Sequence, residues 1–235
     1  MEKIDTRNLP RGVKLARTLF MLKGPAIRLV GGCVRDMIQG KAPKDYDLCT
    51  PAKPDAVFQI LDEGGMKPFD LSNGHGTVSY VYEYDTYEIT TLRVDAETDG
   101  RHATVAFVED FALDAQRRDF TFNALSADIS TGKIYDYFGG VEDLMQNEVR
   151  FVGDADKRIQ EDYLRILRYF RFLGRMDNSP ADDQIAAIER NVAGLDKVSG
   201  ERIWMEVQKI LTGPNVDYVM FHIKRTGVWD RITSR

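Results

Sequence analysis

An α+β chain is predicted, with a mixed region of strands and helices first and an all-helical region after it, joined near residue 138. Three observations predict this. Residues 77–93 alternate apolar and polar side chains in places (Val78, Tyr80, Tyr82) and are rich in Val, Tyr, Ile and Thr, as strands are. A short apolar run, 26–30, leads straight into a glycine pair, Gly31 and Gly32. After Gly139 and Gly140 the spacing becomes helical in four stretches, 156–175, 182–191, 200–211 and 216–226.

Each element has its own signal. Residues 13–22 carry apolar side chains at helical spacing, and 26–30 reads as a strand. A helix is expected from 33 to 39 and another from 55 to 63. The segment 77–93 reads as two strands, with Asp85-Thr86 as the turn between them. From 95 to 103 the chain is polar, with Asp99-Gly100 as a breaker. Residues 120–127 read as a helix and 133–138 as a short strand. The expected domains are therefore 1–138, mixed, and 139–235, helical.

The totals bound the function. A chain of 235 residues, 43% hydrophobic and 29% charged, can bury one or two real cores. Apolar runs are too short to span a membrane, and residues 1–11 have no apolar segment of the secretory kind. Cys33 and Cys49 fit neither a disulfide framework nor a zinc site, so two buried thiols in a reducing cytoplasm are expected. The net charge of −5 argues against a strongly basic nucleic-acid sleeve but leaves room for a local basic face.

The chemistry is concentrated in residues 30–50. Gly31 and Gly32 have no Cβ, so the backbone there can approach phosphate oxygens. The helix expected after them can offer free N–H groups to an anion. Asp45 and Asp47 stand two apart and in a strand would share one face. Two such carboxylates can hold a hard cation that clamps phosphate oxygens. Alone, the pair fits a solvated turn equally well. Further on, Arg117-Arg118-Asp119-Phe120-Thr121-Phe122-Asn123 sets two guanidiniums beside a carboxylate. Arg binds phosphate as a planar fork, and Asp accepts hydrogen bonds from ribose hydroxyls. In Glu161-Asp162-Tyr163-Leu164-Arg165-Ile166-Leu167-Arg168, Asp162 and Arg165 are three apart and would share a helix face. A carboxylate can take the exocyclic amine of cytosine or adenine while a guanidinium serves the adjacent ring nitrogen. Uracil and guanine present the opposite pattern and would leave buried charges unpaired. Arg165, Arg168, Arg171 and Arg175 recur at three- and four-residue steps and would form a basic stripe.

These motifs, in this order, resemble the class II nucleotidyltransferases of the polymerase-β superfamily, the tRNA CCA-adding enzymes and bacterial poly(A) polymerases. The resemblance runs from about Ile27 to Leu211. It implies a polymerase-β-type head followed by a helical neck, and template-independent addition of CCA to tRNA 3′ ends from CTP and ATP, with pyrophosphate released. It implies Mg²⁺ on Asp45 and Asp47, with Gly31, Gly32 and Arg35 around the triphosphate. Asp119 would contact the ribose, Arg118 the triphosphate or base, and Asn123 the sugar or phosphates. Asp162 and Arg165 would act as an amino-acid template, and Arg168 would reach the triphosphate.

The resemblance suggests Glu88 as a third carboxylate, activating the primer hydroxyl; on sequence alone Glu83 and Asp85 compete with it. His75-Gly76-Thr77 would shape backbone. Residues 93–102, with Asp99-Gly100-Arg101-His102, resemble a family loop linked to switching from CTP to ATP. Asp136, Gly140 and Arg150 fit a hinge, and Ser199 with Glu206 a structural neck motif. Family members continue into body and tail regions that grip tRNA. A short form is therefore expected here, one that could act on tRNA or another RNA 3′ end, or rebuild an RNA surface as a homodimer. Poly(A), CC- or A-addition is the alternative, and a non-catalytic RNA-binding remnant the reading from another class.

Overall fold

The computed structural model describes residues 2–70, 76–95, 105–176 and 178–234. They form two compact units, one of 1–118 with 122–137 and one of 119–121 with 138–235.

The first unit is built on a mixed sheet. In chain order it holds α1 (Arg11–Lys23), β1 (Arg28–Val30), α2 (Gly32–Ile38), β2 (Asp47–Thr50), α3 (Pro54–Glu63), β3 (Thr77–Tyr82), β4 (Asp85–Thr91), β5 (Arg93–Asp95), β6 (Val105–Phe107), α4 (Phe111–Gln116), β7 (Ser126–Asp128) and β8 (Ile134–Tyr135). Among the described residues six strands pair in the order β3-β4-β2-β1-β7-β8, and β5 pairs with β6 separately. Only β2 and β4 run parallel in the larger sheet; its other pairs are antiparallel. Leu29, Leu48 and Ile89, from three adjacent strands, are fully buried, and α1 and α3 pack over β3 and β4.

One contact fixes α1 on the sheet. The Tyr80 hydroxyl donates to the Gly12 carbonyl at 2.9 Å, and Tyr80 stacks on Tyr87 with centroids 5.3 Å apart. A Cβ on Gly12 would lie 2.3 Å from the Tyr87 ring. Gly12→Ala is therefore expected to destabilise the protein by about 1–3 kcal/mol, as overpacking does, and a denaturant midpoint shift checks it.

The second unit is helical: α5 (Gly140–Met145), α6 (Ala155–Glu161), α7 (Arg165–Leu173), α8 (Asp182–Asn191), α9 (Gly200–Leu211), α10 (Val216–Arg225) and α11 (Val228–Thr233). Its aromatic core brings Phe120 against Phe151, Tyr169 and Phe172 at 5.1, 6.3 and 5.3 Å between centroids. Backbone bonds from Thr121 N to the Arg150 carbonyl (3.1 Å) and from Val152 N to the Asp119 carbonyl (3.1 Å) tie residues 119–121 into this unit. Ser199 caps α9, its hydroxyl accepting from Arg202 N at 3.4 Å.

Several sequence expectations are corrected. The β3–β4 turn is Glu83-Tyr84, both left-handed at φ 49° and 75°, not Asp85-Thr86. Such a turn matches the twist of its strands, and Asp85 already pairs with Tyr82. Residues 120–127 are not a helix but a 3-10 turn, Thr121–Asn123, followed by β7. Buried Phe120 and Phe122 serve tertiary packing there, overriding a weak local preference. The helix expected over 156–175 is two helices, broken at Asp162, whose backbone is extended (φ −152°, ψ 102°). The Asp162 carboxylate accepts from Leu164 N at 3.2 Å, the local bond by which Asp competes with helix. Residues 99–102 and His75 lie outside the described residues.

Candidate active site

In the first unit the glycine pair comes together with two arginines, and two carboxylates stand opposite one another on neighbouring strands. β1 delivers the chain to Gly31, whose φ of 73° and ψ of −128° are open to glycine and strained for other residues. Gly31 N donates to the Leu125 carbonyl at 2.9 Å, fixing the turn against the start of β7. A Cβ at Gly31 would sit 3.0 Å from Arg118 Nη1. The turn thus has a second need for glycine: the Arg118 guanidinium lies on it. Arg118 Nη1 also reaches the Asn123 carbonyl at 3.5 Å, and Arg35 Nη1 donates to Asn123 Oδ1 at 2.8 Å. Arg35 further pairs with Asp36. Gly31, Gly32, Arg35, Arg118 and Asn123 therefore form one neighbourhood.

The carboxylates stand beside it. Asp47 opens β2, and its partner in the parallel ladder is Glu88 on β4. Residues opposite one another in a ladder point to one face. Asp45 precedes β2 and is not a strand residue, so strand alternation does not align it with Asp47. Burial raises the Glu88 carboxyl, and the charges of Asp47 and Asp45 add to that. Loss of hydration likewise lifts Asp47, Arg118 opposes that, and the Asp45 charge adds to it. Of the rivals to Glu88, Glu83 lies in the hairpin turn paired with Arg11 at 2.9 Å, and Asp85 starts β4 opposite Tyr82.

Among the described residues no three His, Cys, Asp or Glu side chains are already gathered as a metal-ligand set. The donors nonetheless suit a hard cation: all are carboxylate oxygens, and their mutual repulsion calls for positive charge. A measurable consequence follows for the metal-free protein. A carboxylate raised on folding holds its proton longer in the folded than the unfolded state, so its contribution to stability falls as pH rises through that range. Asp47→Asn and Glu88→Gln are each expected to stabilise the metal-free protein relative to wild type, increasingly so from pH 4 towards neutrality. Thermal melts across that range check this.

In the second unit Asp119 and Arg168 are a pair. Arg168 Nε donates to Asp119 Oδ2 at 2.8 Å, with a further contact from Nη2, while Asp119 Oδ1 accepts from Phe120 N at 2.8 Å. Burial pulls the Arg168 guanidinium down, but Asp119 outweighs it, and the net direction is up. Asp162 and Arg165 do not share a helix face, since Asp162 ends one helix and Arg165 opens the next. Each has its own support. Asp162 Oδ2 meets Arg202 Nη2 at 2.9 Å. Arg165 Nη1 donates to the Arg158 carbonyl and to Glu161 Oε2, both at 2.8 Å. The expected stripe is broken too: Arg171 is mostly buried and paired at 3.2 Å with Glu206, and Arg175 lies beyond α7.

Sequence reasoning missed Asp114, Glu161 and Arg202 as supporting residues. Asp114 lies three and four residues before Arg117 and Arg118, a spacing that was legible on a helix. Arg202 is forty residues from Asp162, and no local pattern joins them.

This arrangement, a mixed sheet with a glycine turn, arginines and paired carboxylates, is that of a nucleotidyltransferase head. Residues 27–150 match the family model described as "Poly A polymerase head domain", and the chain belongs to that family. Residues 180–233 match a second model, "Probable RNA and SrmB-binding site of polymerase A". Among relatives, the human mitochondrial CCA tRNA nucleotidyltransferase 1 is 44% identical over 213 residues, covering 89% of this chain and 49% of its own. The CCA-adding enzyme of Geobacillus thermodenitrificans is 40% identical over 201 residues, 85% of this chain and 48% of its own. The crystal structure of the Bacillus stearothermophilus CCA-adding enzyme in complex with CTP matches with a TM-score of 0.83 at 35% identity, over 92% of this chain and 52% of that one. The chain spans about half the length of the curated relatives it matches.

Proposed function

We propose that this chain is a metal-dependent RNA nucleotidyltransferase that adds CCA to tRNA 3′ ends from CTP and ATP. The observation that carries the proposal is the Asp47–Glu88 pair, set opposite one another on β2 and β4, beside the Gly31 turn on which Arg118 lies. The relatives named as CCA-adding enzymes favour this over poly(A) addition.

Asp45 and Asp47 would hold Mg²⁺, which when bound supplies positive charge to the phosphate oxygens. Gly31 and Gly32 let the backbone approach the triphosphate, and Arg35 and Arg118 neutralise it. Asn123, bonded to Arg35, steadies that side. Asp119 accepts from the ribose, and Arg168, its ion-pair partner, serves the triphosphate. Asp162 accepts the exocyclic amine of cytosine or adenine, and Arg165 donates to the ring nitrogen. Glu88 draws on the proton of the primer hydroxyl, whose oxygen attacks the α-phosphate as pyrophosphate departs.

The RNA partner is a tRNA or another RNA 3′ end, and a homodimer is one way to extend the RNA surface. Among the described residues no helix is long and apolar enough to cross a membrane. The free, buried Cys33 and Cys49 fit a reducing compartment. The cytoplasm is the proposed one, while the human relative is mitochondrial by name. Equilibrium binding of the four nucleotides tests the site: CTP and ATP should bind well above UTP and GTP. Equal binding of all four would remove the base-reading role of Asp162 and Arg165.

A further inference from the structure

Asp114 is a buried carboxylate, 2% exposed, on α4 in the first unit. Among the described residues it hydrogen-bonds neither the glycine turn nor the metal-side carboxylates. Its two oxygens do different things. Oδ1 accepts from Arg93 N at 3.2 Å, from Arg117 Nε at 3.0 Å and pairs with Arg117 Nη2 at 2.9 Å. Oδ2 takes Arg118 Nη2 at 3.2 Å. The other terminal nitrogen of Arg118, Nη1, is the one lying on the Gly31 turn. Arg118 Nε is buried with no hydrogen-bond partner among the described residues, so Asp114 and the Asn123 carbonyl supply the bonds that orient the fork. A guanidinium held at one end presents its other end in a fixed direction, which a free arginine does not.

We propose that Asp114 is a positioning residue for nucleotide binding: by holding Nη2 of Arg118 it fixes the guanidinium on the Gly31 turn, where the triphosphate is bound. This rests on the triphosphate role proposed above for Arg118. Burial alone would lift the Asp114 carboxyl, but Arg118, Arg117 and the Arg93 N–H bring it below the ordinary value, so it is ionised throughout the neutral range.

Asp114→Asn separates the two oxygens. The amide oxygen keeps the place with three donors, so the new NH₂ group faces Arg118 Nη2, donor against donor. Arg93 and Arg117 stay satisfied while Arg118 is released. A purely structural carboxylate would affect binding of CTP and CMP alike; one that aims Arg118 affects only the nucleotide carrying the triphosphate. The experiment measures CTP and CMP affinity, with Mg²⁺, for wild type, Asp114→Asn, Arg118→Gln and the double variant. Arg118→Gln is expected to reduce the preference for CTP over CMP by about tenfold or more, the worth of a charged hydrogen bond. Asp114→Asn should reproduce most of that, and the double variant should be no worse than Arg118→Gln alone. Should Asp114→Asn not fold, Arg118→Lys serves. It keeps the charge but has no fork to span Asp114 and Gly31, and should lose the preference about as far. A full CTP preference in Asp114→Asn, or in Arg118→Lys, with Arg118→Gln impaired, would overturn the positioning role alone. An unchanged preference in Arg118→Gln would instead overturn the triphosphate role of Arg118, and the proposal with it.

Discussion

Asp45→Asn is expected to lower nucleotide incorporation by about a thousandfold while leaving the fold intact. Charge stabilisation by a bound cation is worth several kcal/mol, and about 4 kcal/mol corresponds to about a thousandfold in rate. Asp45 is exposed and precedes β2, so its side chain carries no core packing whose loss could mimic the effect. The same substitution also removes a negative charge that raises both Asp47 and Glu88. The remaining carboxylates should ionise more readily, so thermal stability should hold or rise as activity collapses. Parallel melting and incorporation measurements on the one variant test both halves. Activity within tenfold of wild type would remove Asp45 from the metal site.

The second large effect concerns choice of base. Asp162→Ala should lower CTP and ATP incorporation and shrink their advantage over UTP and GTP by about tenfold to a hundredfold. Leaving a buried hydrogen-bonding group unmatched costs about 1–3 kcal/mol, and in the proposed base-reading role the wild-type site would impose that cost on the wrong bases. Asp162 is held by Arg202 at 2.9 Å and by Leu164 N at 3.2 Å, outside any helix interior. Its replacement therefore costs little helix stability. An equal drop for all four nucleotides would point to a structural role instead. Kinetic constants for each nucleotide taken separately make the comparison.

How far the chain was legible differs from one residue to the next. The α+β architecture was, because residues 77–93 carry strand alternation and the second half carries helical spacing. Helices 182–191 and 200–211 were legible to the residue. Ser199 gives α9 its start by capping chemistry, and the negative charges of Asp182 and Asp183 suit the first turn of α8. The break at Asp162 was not: Arg, Leu, Tyr and Phe at helical spacing run through it, and periodicity does not register the short break of residues 162–164 between α6 and α7. Residues 120–127 misled for the opposite reason. Phe120 and Phe122 stand two apart, a spacing that does not place both on one helix face, and tertiary burial decides. At the candidate site the residues proposed to meet ligand stand in short motifs, because short spacing encodes them. The register that sets Asp47 opposite Glu88 and the support that Arg202 gives Asp162 were not legible, because sheet pairing and helix packing join residues far apart in sequence. Arg171 shows the limit of a charge pattern: it fits a basic stripe by spacing and is instead closed over by Glu206.

The most direct measurement is extension of a tRNA lacking its 3′ CCA by the purified chain with Mg²⁺, each labelled nucleotide offered alone and then CTP with ATP. Addition of two C and one A, with UTP and GTP ignored and Asp45→Asn inactive, is the expected result. A ladder of A would make the activity poly(A) addition. Failure to bind any nucleotide would contradict the assignment of Asp45, Asp47, Arg118, Asp162 and Arg165 to a nucleotide site at all.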